Sequence, residues 1–129
     1  MSTASCPCGS GTTVEACCGR YHAGMAAPDA ERLMRSRYSA FVLGLEAYLL
    51  ATWHPDTRPA ALALDSVPSP QWLGLAIQSR TQEDDDHATV EFVARYKLNG
   101  RAFKLHETSR FERVEGRWFY LDGDLHERT

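Results

Sequence analysis

Four cysteines, Cys6, Cys8, Cys17 and Cys18, lie in the first 18 residues of a 129-residue chain, and no other follows. So tight a cluster marks a module apart from the rest. Zinc is held in a tetrahedron by four soft, deprotonated ligands. Cys6-Pro7-Cys8 offers two sulfurs from one turn, and Gly9 and Gly11 free the backbone to wrap. Ser10 is expected to cap a short helix leading to the second pair. Adjacent helical residues point about 100° apart, so if Cys17 and Cys18 both ligate, the helix must end there, and Gly19 allows it. His22 is the alternate fourth ligand. The competing readings are two disulfides, four unrelated thiols, or a reactive Cys-Pro-Cys thiol pair. The opening MSTASCPCGS lacks the charged and apolar regions of a secretory signal, which points to the cytoplasm and against disulfides. The expectation is therefore one Zn2+, closed in by four thiolates and structural.

The remainder suits one ordinary core. A formal charge of −3 gives no footprint for gripping a nucleic-acid backbone or an anionic membrane, and no apolar run is long enough to span a bilayer. Leu33, Met34, Tyr38, Phe41, Val42 and Leu45 recur at helical spacing, predicting a helix from about residue 28 to Gly44 with Arg32, Arg35, Ser36 and Ser39 on its polar face. A second short helix carries Tyr48, Leu49 and Trp53 and stops at Pro55. A proline-rich connector then runs to residue 71. Beyond it the period changes to two, predicting strands Trp72–Arg80, His87–Leu98, Ala102–Arg113 and Arg117–Leu121, joined by turns at Asn99-Gly100 and Glu115-Gly116 into an antiparallel meander.

Cys6-Pro7-Cys8-Gly9-Ser10-Gly11 with Cys17-Cys18 eight residues on resembles the SEC-C motif, the small zinc module of the SecA translocation ATPase. Leu33-Met34-Arg35-Ser36-Arg37-Tyr38-Ser39-Ala40-Phe41, Thr52-Trp53-His54-Pro55 and Trp118-Phe119-Tyr120-Leu121-Asp122-Gly123 look like the YchJ family. The resemblance implies an α+β chain: a SEC-C zinc module over residues 1–24, then a cone-shaped domain like nuclear transport factor two over residues 25–129, with helices packed on a curved antiparallel sheet. Some members carry another SEC-C module at the C-terminus; this sequence through Thr129 shows only the N-terminal one.

Counting back from Asn99-Gly100 pairs Leu98 with Arg101, Tyr96 with Phe103, Ala94 with Leu105, Phe92 with Glu107 and Val90 with Ser109 on one apolar face. His106 falls on the other. Counting from Glu115-Gly116 pairs Arg113 with Trp118, Phe111 with Tyr120 and Ser109 with Asp122, so Glu107, Ser109 and Asp122 are expected to converge among aromatic rings. A carboxylate there is costly to desolvate unless paired. One reading is an ion pair with Arg35 or Arg37; the other is a pocket in which Glu107 or Asp122 serves as general acid or base beside His54. His54 could equally cap its helix or pack under the loop. Two functions follow. The first is a zinc-binding adaptor that docks a protein partner through its module, with a cone-domain pocket or homodimer surface. The alternative is an isomerase- or dehydratase-type enzyme that moves a proton on a small molecule with Glu107, Asp122 and His54.

Overall fold

In the computed structural model, which describes residues 5–62 and 70–126, three short helices precede a four-stranded sheet. The elements are α1 (Cys18–His22), α2 (Ala30–Leu43), α3 (Glu46–Ala51), β1 (Gln71–Asp84), β2 (His87–Leu98), β3 (Arg101–Val114) and β4 (Arg117–Leu125). Part of the expected connector, residues 63–69, lies outside the described residues. The family-like architecture expected above is the one observed: helices on a curved antiparallel meander of order β1-β2-β3-β4. No helix among the described residues is long and apolar enough to cross a membrane.

Asp29 starts α2 by accepting a hydrogen bond from the Arg32 N–H at 2.8 Å, so Pro28 precedes the cap and does not fill the first turn. Gly44, at φ 75°, ends it in the left-handed conformation. The burial of α2 differs from the amphipathic stripe. Leu33, Met34 and Tyr38 are buried as expected, but Ser36 and Ser39, assigned to the polar face, are both 0% exposed. The Ser36 hydroxyl donates to the Leu33 carbonyl at 2.8 Å and meets the Tyr48 hydroxyl at 2.7 Å; Ser39 Oγ lies 3.5 Å from Cys6 Sγ. Small hydroxylated residues here let the cysteine segment pack on α2. Cys6, Cys8, Cys18 and Tyr21 belong to the same buried cluster as Leu33, Phe92, Phe111 and Trp118, so burial runs unbroken across the expected boundary at residues 24/25.

Both hairpin turns place their two central residues at positive φ, Asn99 54° and Gly100 79°, Glu115 51° and Gly116 82°, the geometry whose twist matches the flanking strands. The β2–β3 register is the one counted from the sequence throughout. The β3–β4 register is as expected at Arg113↔Trp118 and Phe111↔Tyr120, then slips: Arg110 pairs Asp122 and Ser109 pairs Gly123. Leu121 is the extra residue of a bulge. Because side chains alternate between faces, the slip turns Asp122 outward and brings Gly123 to the inner face. Three further irregularities in the β1–β2 pairing help bend the sheet. Beyond α3, the Tyr120 N–H donates to the Thr52 carbonyl at 2.8 Å and the His54 N–H donates to the Tyr120 carbonyl at 2.7 Å. This short parallel bridge covers part of the β4 edge.

Candidate functional site

The four cysteines come together as the spacing implies. Their sulfurs all lie within 4.8 Å of one another, with Cys8 to Cys17 at 3.7 Å and Cys17 to Cys18 at 3.9 Å. A tetrahedral ion with metal–sulfur bonds of about 2.3 Å spaces its sulfurs by about 3.8 Å, so the donor set fits a metal ion. The disulfide reading fails on the same distances, and all four cysteines are free. The sulfurs cannot all ionise unaided: a hydrogen bond from Cys18 holds the Cys8 thiol below its ordinary range, while that bond and burial push Cys18 up. Four adjacent thiolates need a cation between them.

Local structure explains the convergence, with two corrections. The second cysteine pair opens a helix instead of ending one. Cys17 is the N-cap of α1 and Cys18 its first residue, and Gly19 fits because a Cβ there would press on the Val14 carbonyl. Ser10 caps no helix; its hydroxyl donates to Cys17 Sγ at 3.1 Å. Nor is His22 the alternate ligand. Its Nε2 donates to the Ser36 carbonyl at 2.9 Å and its ring stands edge-on to Tyr48. Arg35, one of the two expected partners of Glu107, instead clamps the cysteine loop, donating to the Cys8 carbonyl at 2.9 Å and to Glu31 at 2.9 Å.

A second feature lies between α2 and the inner face of the sheet, a cavity of about 270 Å³. Tyr38, Phe41, Trp72, Phe92 and Leu105 supply apolar walls, and Arg37, Glu107, Ser109 and Tyr120 the polar ones. Glu107 Oε2 accepts from the Ser109 hydroxyl at 2.6 Å and the Tyr120 hydroxyl at 3.3 Å. The carboxylate lies over Gly123, where a methyl group would overlap it. Burial, and then the Glu107 charge, push the Tyr120 phenol up, so it stays a donor at neutral pH. Arg37 is 3% exposed. Its Nη1 donates to the Leu49 carbonyl at 2.8 Å and Thr52 Oγ1 at 2.7 Å, and its Cζ sits 4.7 Å from the Tyr120 ring centroid and 5.2 Å from that of Trp53. Burial lowers its pKa to about 10, which leaves it a cation at neutral pH. The expected ion pair is not a contact pair: no Arg37–Glu107 bridge within 4.0 Å exists among the described residues.

The expected trio of Glu107, Asp122 and His54 is not assembled. Glu107 faces the cavity. Asp122, reversed by the bulge, accepts from Arg110 Nε at 2.5 Å on the outer face, beside Asp124. His54 sits under the loop, where its Nδ1 accepts from the Asp56 N–H at 3.1 Å, so its Nε2 carries the hydrogen donated to Glu112 at 2.8 Å. His106 is on the outer face as counted, 2.6 Å from Glu91. His126 joins them, but its ring stacks on His106 at 4.1 Å and 17°, so the imidazole lone pairs lie in nearly parallel planes and do not converge on an ion. The residues missed by sequence reasoning are Thr52 and the Leu49 carbonyl, which hold Arg37, and Gly123, which makes room for Glu107. The Trp118–Gly123 stretch contained the last signal, since a glycine within a strand marks a bulge or close-approach position.

The model of the YchJ middle domain, described as NTF2-like, matches residues 29–123. A UPF0225 protein of Bordetella parapertussis is 58% identical over 127 residues, covering 96% of this chain and 95% of that protein. The solution structure of a SEC-C motif containing protein from Rhodopseudomonas palustris superposes with a TM-score of 0.83 at 32% identity, covering 95% of this chain and 98% of that one. The crystal structure of a SEC-C motif containing protein from Psychrobacter arcticus gives 0.77 at 29% identity, over 96% and 84%. With its domain matched along most of the sequence and a relative 58% identical along nearly all of it, this chain belongs to the YchJ family.

Proposed function

We propose that Cys6, Cys8, Cys17 and Cys18 hold one Zn2+ as a structural cross-link, and that the cavity of the cone domain binds a small organic molecule. Four thiolates leave zinc no open coordination position, so the ion would fasten the N-terminal segment onto α2 and take no part in chemistry. The observation that carries the binding role is Arg37, a buried cation brought to a cavity wall with hydrogen-bonding capacity unspent. Among the described residues only its Nη1 is hydrogen bonded, yet no sealed side-chain nitrogen lacks a partner, so Nε and Nη2 border open space. Mostly apolar walls with a few convergent polar groups are the ordinary make-up of a ligand site. Elemental analysis of protein prepared without chelator should give one zinc per chain, and a substoichiometric value refutes the metal assignment. Ala94→Leu fills the cavity from the β2 wall; small molecules that raise the melting temperature of the wild type should lose that effect in this variant, and their retention there refutes the site.

A second reading, an adaptor docking a protein partner at the metal module, has support of its own. An apolar groove of about 350 Å³ between that module and the β3–β4 hairpin is lined by Tyr21, Met25, Ala27, Tyr48 and Trp118, and Met25 is 54% exposed. Capture of an identified protein that is lost in Met25→Asp and kept in Ala94→Leu would favour it; retention in both would reject it.

A further inference from the structure

We infer that the cone cavity is built for a zwitterion: a molecule with an apolar or aromatic body whose head carries a carboxylate for Arg37 and an ammonium group for Glu107, the arrangement of an α-amino acid. This rests on the reading that the cavity binds a small molecule. The cavity holds one fixed positive and one fixed negative charge. They do not neutralise each other by contact, because Tyr120 stands between them. Arg37 Cζ is 4.7 Å from the centre of that ring, and Glu107 Oε2 is 3.3 Å from its hydroxyl. The two charges therefore face one cavity across about the span of a phenol, a gap that a head group with its opposite charges two bonds apart can bridge.

The unspent valences are specific. With Nη1 tied to Leu49 and Thr52, Arg37 keeps Nε and Nη2, the neighbouring pair of donors that binds a carboxylate in fork geometry. The hydrogens of Ser109 and Tyr120 are both committed to Glu107 Oε2. Oε1 has no partner among the described residues and is left as an acceptor. Arg37 is thus the donor for a ligand anion and Glu107 the acceptor for a ligand cation. A ligand bearing only a carboxylate would satisfy Arg37 but bring like charge toward Glu107, and an amine would do the reverse toward Arg37. In a poorly hydrated site such juxtapositions discriminate strongly. Tyr38, Phe41, Trp72 and Phe92 provide the wall for the body, and about 270 Å³ suits one ring with its head group.

Four probes of one shape separate the possibilities: L-phenylalanine, phenylacetate, phenethylamine and toluene, titrated at neutral pH into the full-length metal-loaded protein and followed by amide chemical shifts. L-phenylalanine should bind at least about ten-fold more tightly than either singly charged probe. In Glu107→Gln the cavity keeps only its positive charge, and phenylacetate should overtake L-phenylalanine. If either singly charged probe equals L-phenylalanine in the wild type, the zwitterion assignment is overturned; the wild-type ranking decides this even if the variant does not fold. An unchanged order in a folded Glu107→Gln overturns it as well. Toluene binding without any preference among the charged probes leaves an apolar cavity and removes the zwitterion. If none of the four binds at millimolar concentration, the cavity reading itself falls.

Discussion

Replacing Arg37 by methionine, a side chain of similar length, tests whether the guanidinium is a buried cation held by the fold. Its two hydrogen bonds, at 2.8 and 2.7 Å, are charge-assisted and each is worth about 1.5–3 kcal/mol. The contacts with the Tyr120 and Trp53 rings add about 1–2 kcal/mol. Against this stands desolvation. Burial brings the pKa from 12.5 to about 10, and at 1.36 kcal/mol per pKa step that is about 3 kcal/mol, which methionine would recover. The difference is a net loss of about 1–5 kcal/mol, or a Tm lower by about 4–20 °C for a chain of this length. Differential scanning calorimetry near neutral pH measures it. A Tm equal to or above that of the wild type would show that Arg37 is solvated, and the cavity wall described here would be wrong.

Glu107→Gln should cost far less than the ~3–5 kcal/mol of a broken buried ion pair, because no contact pair exists and the amide oxygen can still accept from Ser109 and Tyr120; a loss of at most about 2 kcal/mol is expected, and denaturant unfolding showing the larger figure would restore the contact pair. A chain beginning near Met25 lacks Cys6, Cys8, Cys18 and Tyr21 and uncovers the Ser36–Ser39 face of α2, so it should be molten or insoluble; a sharp thermal transition within a few degrees of the full chain would show that the two parts fold separately. The Glu91 carboxyl is held below its ordinary 4.5, first by the hydrogen bond from His106 and then by Ser79. The stability linked to it is therefore complete above pH 4.5 and lost as pH falls below. In His106→Ala its carbon-detected titration should move up toward 4.5, and an unmoved curve refutes that cause.

What the sequence made legible was governed by local rules. The cysteine spacing, the two glycine turns and period-two alternation depend on residues close in the chain, and the β2–β3 register follows from counting back from Asn99-Gly100. Tertiary context decided the rest. Ser36 and Ser39 read as surface because a helix wheel carries no information about further segments packed against it, here those of Cys6, His22 and Tyr48. Arg35 and Arg37, two positions apart on α2, point to different places, one to the cysteine loop and one to the cavity; spacing alone separated their faces but could not say which met Glu107. His54 was legible as a packed histidine, while its partner Glu112 was not, since that contact joins the end of α3 to the far side of a hairpin.

The bulge at Leu121 means that the chemistry lining the cavity is set by a count as much as by composition. Were the bulge absent, pairing counted from the Glu115-Gly116 turn would run on unbroken: Asp122 would enter opposite Ser109 and crowd Glu107, and Gly123 would leave the inner face. Two relatives with identical residue types, one with the bulge and one without, would therefore present different charges to the same cavity. Their lining residues correspond only when β4 is matched through the bulge by its partners on β3, and not by counting from the turn.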